Sequence, residues 1–284
     1  MAMQWGPGRI KGHGSTNGQA GGVLTERGDY WDAISGVWLK SHPQALWRQH
    51  SDAVNSRLFG RWLDPGAIGR VLKTDLFDEA FGGGLYPMLA SRATHVVGLD
   101  LSAVTARAAQ CHHSGLSGLA ADVRHLPYAD GAFDVIVSNS TLDHFTSLDD
   151  VVVSLGELWR VLRPGGRLLL TLDNLANPVI ALRNSLPIRL LNRLGIVPYY
   201  VGATCGPKGL KRMLAQTGFE VLEMSAVLHH PSVIAVAAAR ALQRRAAPAT
   251  RQRFLALLGA FERLGDWPTR FLTGHYVAVK ALRR

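Results

Sequence analysis

From residue 69 onward, short apolar runs rich in β-branched residues alternate with stretches whose apolar positions recur at helical spacing. The runs fall at 69–74, 95–100, 116–121, 133–138 and 167–173. The helical stretches between them cover about 84–92, 102–112 and 147–162. Strands that are apolar at nearly every position are buried on both faces, and regular alternation with helices predicts a parallel sheet layered between them. Arg163-Pro164-Gly165-Gly166 marks a turn before the run at 167–173. Further on, 208–217 reads as a helix that ends at Gly218. Residues 219–228 read as a strand, 232–264 as one or two helices broken near Ala247-Pro248, and 275–282 as a final strand.

Residues 29–63 are helical in pattern and dense in aromatics: Tyr30, Trp31, Trp38, Trp47 and Trp62. Asp64-Pro65-Gly66 stops them. These tryptophans either pack the helices onto the sheet or cover an apolar substrate pocket. The pattern divides the chain into a Gly-rich leader at 1–28, which is flexible or a lid, an N-terminal helical cap at 29–66 and an α/β domain at 67–284. Within that domain, 174–214 reads as a substrate-side insertion above the sheet, expected to form the acceptor pocket with the Trp-rich helices, and 231–268 as a helical insertion.

Composition narrows the function classes. The 284 residues are 47% hydrophobic, which suits a globular protein with a substantial core. With 31 Lys and Arg against 21 Asp and Glu, the formal charge is +10, which draws in anionic partners. No nucleic-acid module accompanies that charge, so a small-molecule substrate and no nucleic acid are expected. Arg240, Arg244, Arg245, Arg251 and Arg253 lie near Val233, Ile234, Val236, Phe254 and Leu255. They form a solvated helix face or a surface for peripheral contact with an anionic membrane. Cys111 and Cys205 form no CxxC pair, so a reducing, cytoplasmic compartment is expected. The longest apolar run, Val233 to Ala239, falls far short of the roughly 20 residues of a membrane span.

The candidate chemistry lies at the strand ends. Asp100 closes one strand, Asp122 comes just after the next, Asn139 closes the third, and Gly82-Gly83-Gly84 sits in the first loop. An open α/β sheet binds ligands along its carboxyl edge, where a carboxylate accepts hydrogen bonds from both ribose hydroxyls. Glycines there permit close backbone approach. The arrangement points to an enzyme with an adenosine-bearing cofactor. His144, preceded by Asp143, lies just beyond the strand that ends at Asn139. Its imidazole suits general-base work near neutral pH, or it packs beneath the loop. Asp173 and Asn174 orient a substrate or cap the next segment. His229, His230 and His275 lack spaced acid or Cys partners, so no metal site is expected.

Four phrases in order carry a resemblance: Gly98-Leu99-Asp100-Leu101-Ser102, Ala121-Asp122-Val123-Arg124-His125-Leu126-Pro127-Tyr128, Phe133-Asp134-Val135-Ile136-Val137-Ser138-Asn139 and Arg160-Val161-Leu162-Arg163-Pro164-Gly165-Gly166. Over about residues 67–175 the chain resembles class I S-adenosylmethionine-dependent methyltransferases, in the group that includes ubiquinone- and menaquinone-biosynthesis-type enzymes. The resemblance implies a Rossmann-like, doubly wound α/β sheet of seven strands with the last antiparallel, and S-adenosylmethionine as cofactor. It implies that Asp100 binds the ribose hydroxyls and Leu101 the adenine. It places Asp122 at the adenine amino group, Val123 as a backbone donor and Asn139 beside the methionine portion. The first loop departs from the family. Where an acid and then Gly-x-Gly-x-Gly are usual, this chain has Lys73, Asp75, Phe77 and Glu79, with Gly82, Gly83 and Gly84 further on. Asp75, Asp78 and Glu79 are the candidates to face the cationic amino group or sulfonium. The expected activity is methyl transfer to a small, hydrophobic or anionic acceptor. The altered loop keeps two alternatives open: a catalytically inactive scaffold and a non-methylating enzyme using the same cofactor.

Overall fold

The computed structural model of the protein describes residues 28–284 apart from 42, 43, 65, 67, 195 and 198. The leader reading for residues 1–27 lies outside the described residues. Two helices precede the sheet, α1 (Gly28–Ser41) and α2 (Ala45–Trp62). The sheet strands are β1 (Ile68–Lys73), β2 (Ala93–Asp100), β3 (Leu116–Ala120), β4 (Phe133–Asn139), β5 (Leu162–Asp173), β6 (Phe219–Val227) and β7 (Tyr276–Arg283). Their order is β3-β2-β1-β4-β5-β7-β6. The first five are mutually parallel, and β7 runs antiparallel to both β5 and β6. This is the Rossmann-like, doubly wound sheet with an antiparallel last strand.

Successive side chains of each central strand enter opposite layers, because the pleat has a period of two. Leu72, Ile136, Leu168, Leu170, Val277 and Val279 join one core with Leu155 and Leu158 of α6 (Leu148–Val161). Val71, Val135, Val137, Leu169 and Ala278 join the other with Leu58, Phe59 and Trp62 of α2. Phe59 and Trp62 are almost wholly buried, so this part of the aromatic segment is packing.

The helix expected over 84–92 is the shorter α4 (Tyr86–Ala90), and a short helix the sequence did not suggest, α3 (Phe77–Phe81), precedes it. The glycine run between them keeps the two apart, with Gly84 in the left-handed region at φ +55°. The turn expected at 163–166 lies within β5, whose pairing with β4 shifts register between Phe133 and Val135. Gly165, at φ +73°, makes that irregularity possible. After β2 and β3 the pattern holds, with α5 (Ala103–His112) as the crossover helix.

Beyond β5 the chain forms α7 (Pro178–Ser185), α8 (Ile188–Arg193) and α9 (Pro207–Gln216). Between β6 and β7 come α10 (Ser232–Arg245), α11 (Pro248–Phe261) and the short α12 (Arg270–Thr273). Helices α10 and α11 pack on α2. Gln243 of α10 accepts a hydrogen bond from the Leu46 N–H at 3.4 Å, and the rings of His50 and His230 lie 5.1 Å apart. Helix α2 is thus covered on both sides, which is why it buries Arg48, His50, Ser51 and Asn55.

Candidate active site

One large pocket opens along the carboxyl edge of the sheet. Its wall includes Asp75, Asp100, Leu101, Asp122, Val123, Asn139 and His144. With Asp78, which also lines it, eight of the sequence-predicted site residues are brought together. Gly82, Gly83, Gly84 and Asp143 are not part of this wall.

The β2 end is held from three sides. The Asp100 carboxylate accepts the Leu76 N–H at 3.1 Å and the Ser102 N–H at 2.8 Å. Ser102 caps α5 by accepting the Thr105 N–H at 3.0 Å. Asp32 of α1 reaches over this cap, accepting from the Ser102 hydroxyl at 2.6 Å and the Val104 N–H at 3.1 Å. Burial and the neighbouring Asp75 push the Asp100 carboxyl up to about 7. The Asp122 carboxylate differs. Burial would raise it, but hydrogen bonds and charge from Arg124 hold it below the usual range. Asn139 accepts from the Thr171 hydroxyl through Oδ1 at 2.8 Å, so its NH2 is the end left for a ligand.

The β1 loop is built on charge. Lys73, buried at the end of β1, pairs with the wholly buried Glu79 at 2.9 Å. It also donates to the Asp75 carbonyl. Burial opposes the lysine's charge, but Glu79, Asp75 and Asp78 together raise its pKa and keep it protonated. The Glu79 carboxylate accepts the Leu85 N–H at 2.8 Å. A Cβ at Gly84 would stand 2.4 Å from Glu79 Oε1. The glycine run therefore wraps the buried carboxylate, and the cofactor contact expected of Gly82, Gly83 and Gly84 is not what their position offers. The Gly82 carbonyl lies 3.2 Å from His113 Nε2.

Asp143, a candidate catalytic group from the sequence, lies behind the pocket wall. Its carboxylate accepts from the Ser140 hydroxyl at 3.0 Å and the Asp173 N–H at 3.0 Å. Its carbonyl accepts the Gly202 N–H at 2.7 Å. It is 1% exposed, so it braces the turn rather than meeting a ligand. Ser140, which lines the pocket, sits in the left-handed region at φ 51°. Such strain in a non-glycine residue collects at functional sites. Asp173, offered as substrate-orienting, is also committed: burial would raise its carboxyl, but His275 and Arg183 hold it down to about 2.

His144 does face the pocket. Its Nδ1 lies 2.9 Å from the Tyr200 carbonyl, which only accepts, so Nδ1 carries the proton and Nε2 of the neutral ring has the free lone pair. Its ring meets those of Trp31 and Tyr199 at 5.0 and 5.6 Å. Tyr30 accepts the Tyr200 N–H at 3.0 Å, tying α1 to this loop.

Trp47, one of the tryptophans offered as covering a pocket, and Tyr199, within the substrate-side insertion, line it; Ser51, Asn55, Thr74 and Tyr276 also line it and are not singled out by the sequence. Trp47, Ser51 and Asn55 stand four residues apart and so share one face of α2. That spacing was the available signal, but nothing in it says which layer the face meets.

The donor set fits S-adenosylmethionine. The pocket wall carries Asp75, Asp78, Asp100 and Asp122. Arg48 pairs with Asp78 and Arg124 with Asp122, while Asp75 and Asp100 have no ion-pair partner among the described residues. Burial raises both carboxyls; a cation approaching Asp75 relieves that cost, while Asp100 can accept from hydroxyl donors. The cofactor brings two positive centres, its ammonium and its sulfonium. The wall also holds an unpartnered donor, Trp47 Nε1, and an unpartnered acceptor, Asn55 Oδ1.

Comparison with known proteins agrees with this chemistry. A family profile described as a methyltransferase domain matches residues 78–170. The chain is 35% identical over 167 residues to a demethylmenaquinone methyltransferase of Thermus thermophilus, covering 51% of this chain and 74% of that protein. It is 34% identical over 127 residues to a malonyl-[acyl-carrier protein] O-methyltransferase of Enterobacter lignolyticus, covering 44% of this chain and 45% of that one. The fold is shared with geranyl diphosphate C-methyltransferase of Streptomyces coelicolor, at a TM-score of 0.54 and 16% identity over 81% of this chain and 77% of that one. With a methyltransferase relative covered over most of its length and a pocket whose unpaired acids suit a sulfonium, the chain belongs to the class I S-adenosylmethionine-dependent methyltransferases that act on small molecules.

Proposed function

We propose that this enzyme methylates a neutral, lipophilic acceptor bearing a planar ring, of the prenylated quinol type, with His144 as general base. The observation that carries the reading is the aromatic composition of the pocket wall. Trp31, Trp47, Phe77, Phe145 and Tyr199 supply apolar, aromatic wall. Aromatic faces there favour a ring partner. An anionic acceptor would meet Asp75 and Asp78, while the one lining guanidinium among the described residues, Arg48, is already taken by Asp78 and by the Phe77 carbonyl at 3.1 Å. The Thermus relative is named for a menaquinone precursor, which is of this class.

Asp100 takes the ribose hydroxyls, Leu101 packs on the adenine, and Val123 donates its backbone N–H to it. Asp122 keeps acceptor capacity for the adenine amino group even when paired, because a carboxylate offers about four lone-pair sites. Asn139 and Asp75 hold the methionine end, Asp75 through charge. The bound cofactor supplies a methyl group on a sulfonium, an electrophile that needs no further activation. The chain's own residues align the acceptor, keep water out and remove a proton. His144 Nε2 accepts the acceptor's proton, and the Tyr200 carbonyl steadies the resulting imidazolium through Nδ1–H. Asp143 positions His144 by holding the turn between Ser140 and the Gly202 loop.

Transfer of a labelled methyl group to a panel of demethylmenaquinol, geranyl diphosphate and malonyl-acyl carrier protein tests the reading. Label is expected in the quinol alone, and His144→Gln should slow it by about 10²–10³-fold. Label confined to either anionic acceptor would reject the acceptor class. An unchanged rate in His144→Gln would reject the base.

A further inference from the structure

Helices α7 and α8 are apolar on two sides. Ile180 and Leu191 face the protein and are buried. Val179 and Leu182 of α7, Leu186 just after it, Leu190 of α8 and Leu194 at its end are 63%, 64%, 38%, 43% and 61% exposed. A soluble surface helix normally shows one apolar stripe, and isolated exposed leucines are ordinary. Five exposed large apolar side chains gathered on two successive short helices mark an interaction surface.

Other exposed apolar residues extend it. Arg183 of α7 lies 3.5 Å from His275 Nε2, and Ser232 of α10 lies 2.8 Å from His275 Nδ1. Asn177 donates to the Thr273 carbonyl of α12 at 3.0 Å. These bonds bring the exposed apolar residues of α7 to the start of α10, where Val233 and Ile234 are exposed, and to the exposed Leu272 of α12. The knot of polar side chains adjoins Tyr276, which lines the pocket. The surface is therefore beside the active site.

Charge says what covers this face. Between Asp173 and Glu220 the chain has no acidic residue; Arg183 is paired with Asp173, and Arg189, Arg193, Lys208, Lys211 and Arg212 follow. The stretch 232–239 at the start of α10 also carries no acidic residue. On α8 the exposed Arg189 and Arg193 alternate with Leu190 and Leu194. Apolar side chains that enter the acyl boundary, bordered by arginines with no acids between them, match a negatively charged bilayer. A water-facing surface would mix both signs.

We infer that the outer face of α7 and α8, with the start of α10 and Leu272, docks on an anionic lipid bilayer beside the pocket. The surface owes nothing to the identity of the acceptor. It differs from the arginine run at 240–253 offered by the sequence, because α10 and α11 turn much of their length onto α2. Arg251 there donates to the Gln243 carbonyl at 2.9 Å.

Vesicle co-sedimentation of the full chain tests this, with phosphatidylcholine alone and with phosphatidylglycerol added. Each variant is also measured for melting temperature and for S-adenosylhomocysteine binding by calorimetry, so that loss of the surface is separable from loss of the fold or of the cofactor site. Wild type is expected on the anionic vesicles and not on the neutral ones. The pair Leu182→Ser and Leu190→Ser should cut binding by about tenfold or more. The pair Arg189→Glu and Arg193→Glu should abolish the preference for phosphatidylglycerol. Equal binding of wild type and both double variants, or no binding of wild type to anionic vesicles, overturns the inference. So does a concentration-dependent dimer that the leucine pair disrupts, which would give the face to a second copy of the chain.

Discussion

The β1 loop and the β2 tip stand side by side in one pocket wall, yet they are organised by opposite means. At the β2 tip, Asp100 is fixed by backbone donors from Leu76 and Ser102 and keeps no cation. At the β1 loop, where the family ordinarily uses glycines, a buried Lys73–Glu79 pair holds the chain and α3 comes immediately after. The first arrangement leaves a carboxylate with acceptor capacity for a ligand's hydroxyls. The second neutralises itself and shapes the backbone. Acids on neighbouring strand ends can thus serve as binding group in one place and scaffold in the other, according to which already has a counter-ion.

The largest effect is expected at Glu79. Glu79→Ala leaves the Lys73 ammonium buried and unpaired, and should cost about 3–5 kcal/mol in urea denaturation. The combined Lys73→Met, Glu79→Leu protein should recover most of that loss, since no bare charge remains. Were the single variant as stable as wild type, the pair would not be what holds the loop, and the contrast with the β2 tip would fail.

A smaller effect is expected at Asp100. Asp100→Ala should weaken S-adenosylhomocysteine binding by about 10–100-fold, the worth of one or two hydrogen bonds to a charged acceptor. Calorimetry reads it directly. The companion change Asp75→Asn should weaken S-adenosylmethionine, which carries the sulfonium, more than S-adenosylhomocysteine, which lacks it.

Protonation separates the two regions further. The folded Asp100 carboxyl titrates at about 7 against an ordinary 3.8. The folded state therefore holds a proton that the unfolded chain has already released. Its contribution is fully present below pH 3.8 and is lost as pH rises through about 7. Ligand-free wild type should lose stability across that window, and Asp100→Asn should lose less. Cofactor binding near pH 6 should release protons, detectable by calorimetry in buffers of different ionisation enthalpy. An absence of proton release would mean that Asp100 is already ionised.

The smallest effect belongs to the glycine run. A Cβ on Gly83 meets only Pro87 at 3.7 Å, an ordinary contact. Gly83→Ala should change both stability and cofactor affinity by no more than about 0.5 kcal/mol. Gly84→Ala should be worse for stability, because φ is +55° and Glu79 occupies the space. Loss of cofactor affinity in Gly83→Ala with stability intact would return the run to the binding site.

Much of this was legible along the chain because neighbours in sequence decided it. Buried strands such as Val135-Ile136-Val137 announce themselves by apolar residues on both faces, and a strand tip in an open sheet points its next residue at the ligand edge. Asp100, Asp122 and Asn139 are readable on that ground. The placement of Gly82, Gly83 and Gly84 was not, because their use depends on a carboxylate several residues earlier folding back beneath them. Asp143 and His144 are adjacent and chemically similar in prospect. Only the path of the turn puts one behind the wall and the other on it.

Local periodicity and short ordered phrases were enough for the layered sheet, the strand-tip acids and the kinship with methyltransferases. They were not enough for which acids are already neutralised, which face of α2 enters the pocket or which leucines of α7 and α8 stay exposed. Those outcomes came with the packed fold, because they depend on charges and surfaces far apart in the chain. Burial and pairing are set by what folds against a residue, and no local pattern records that.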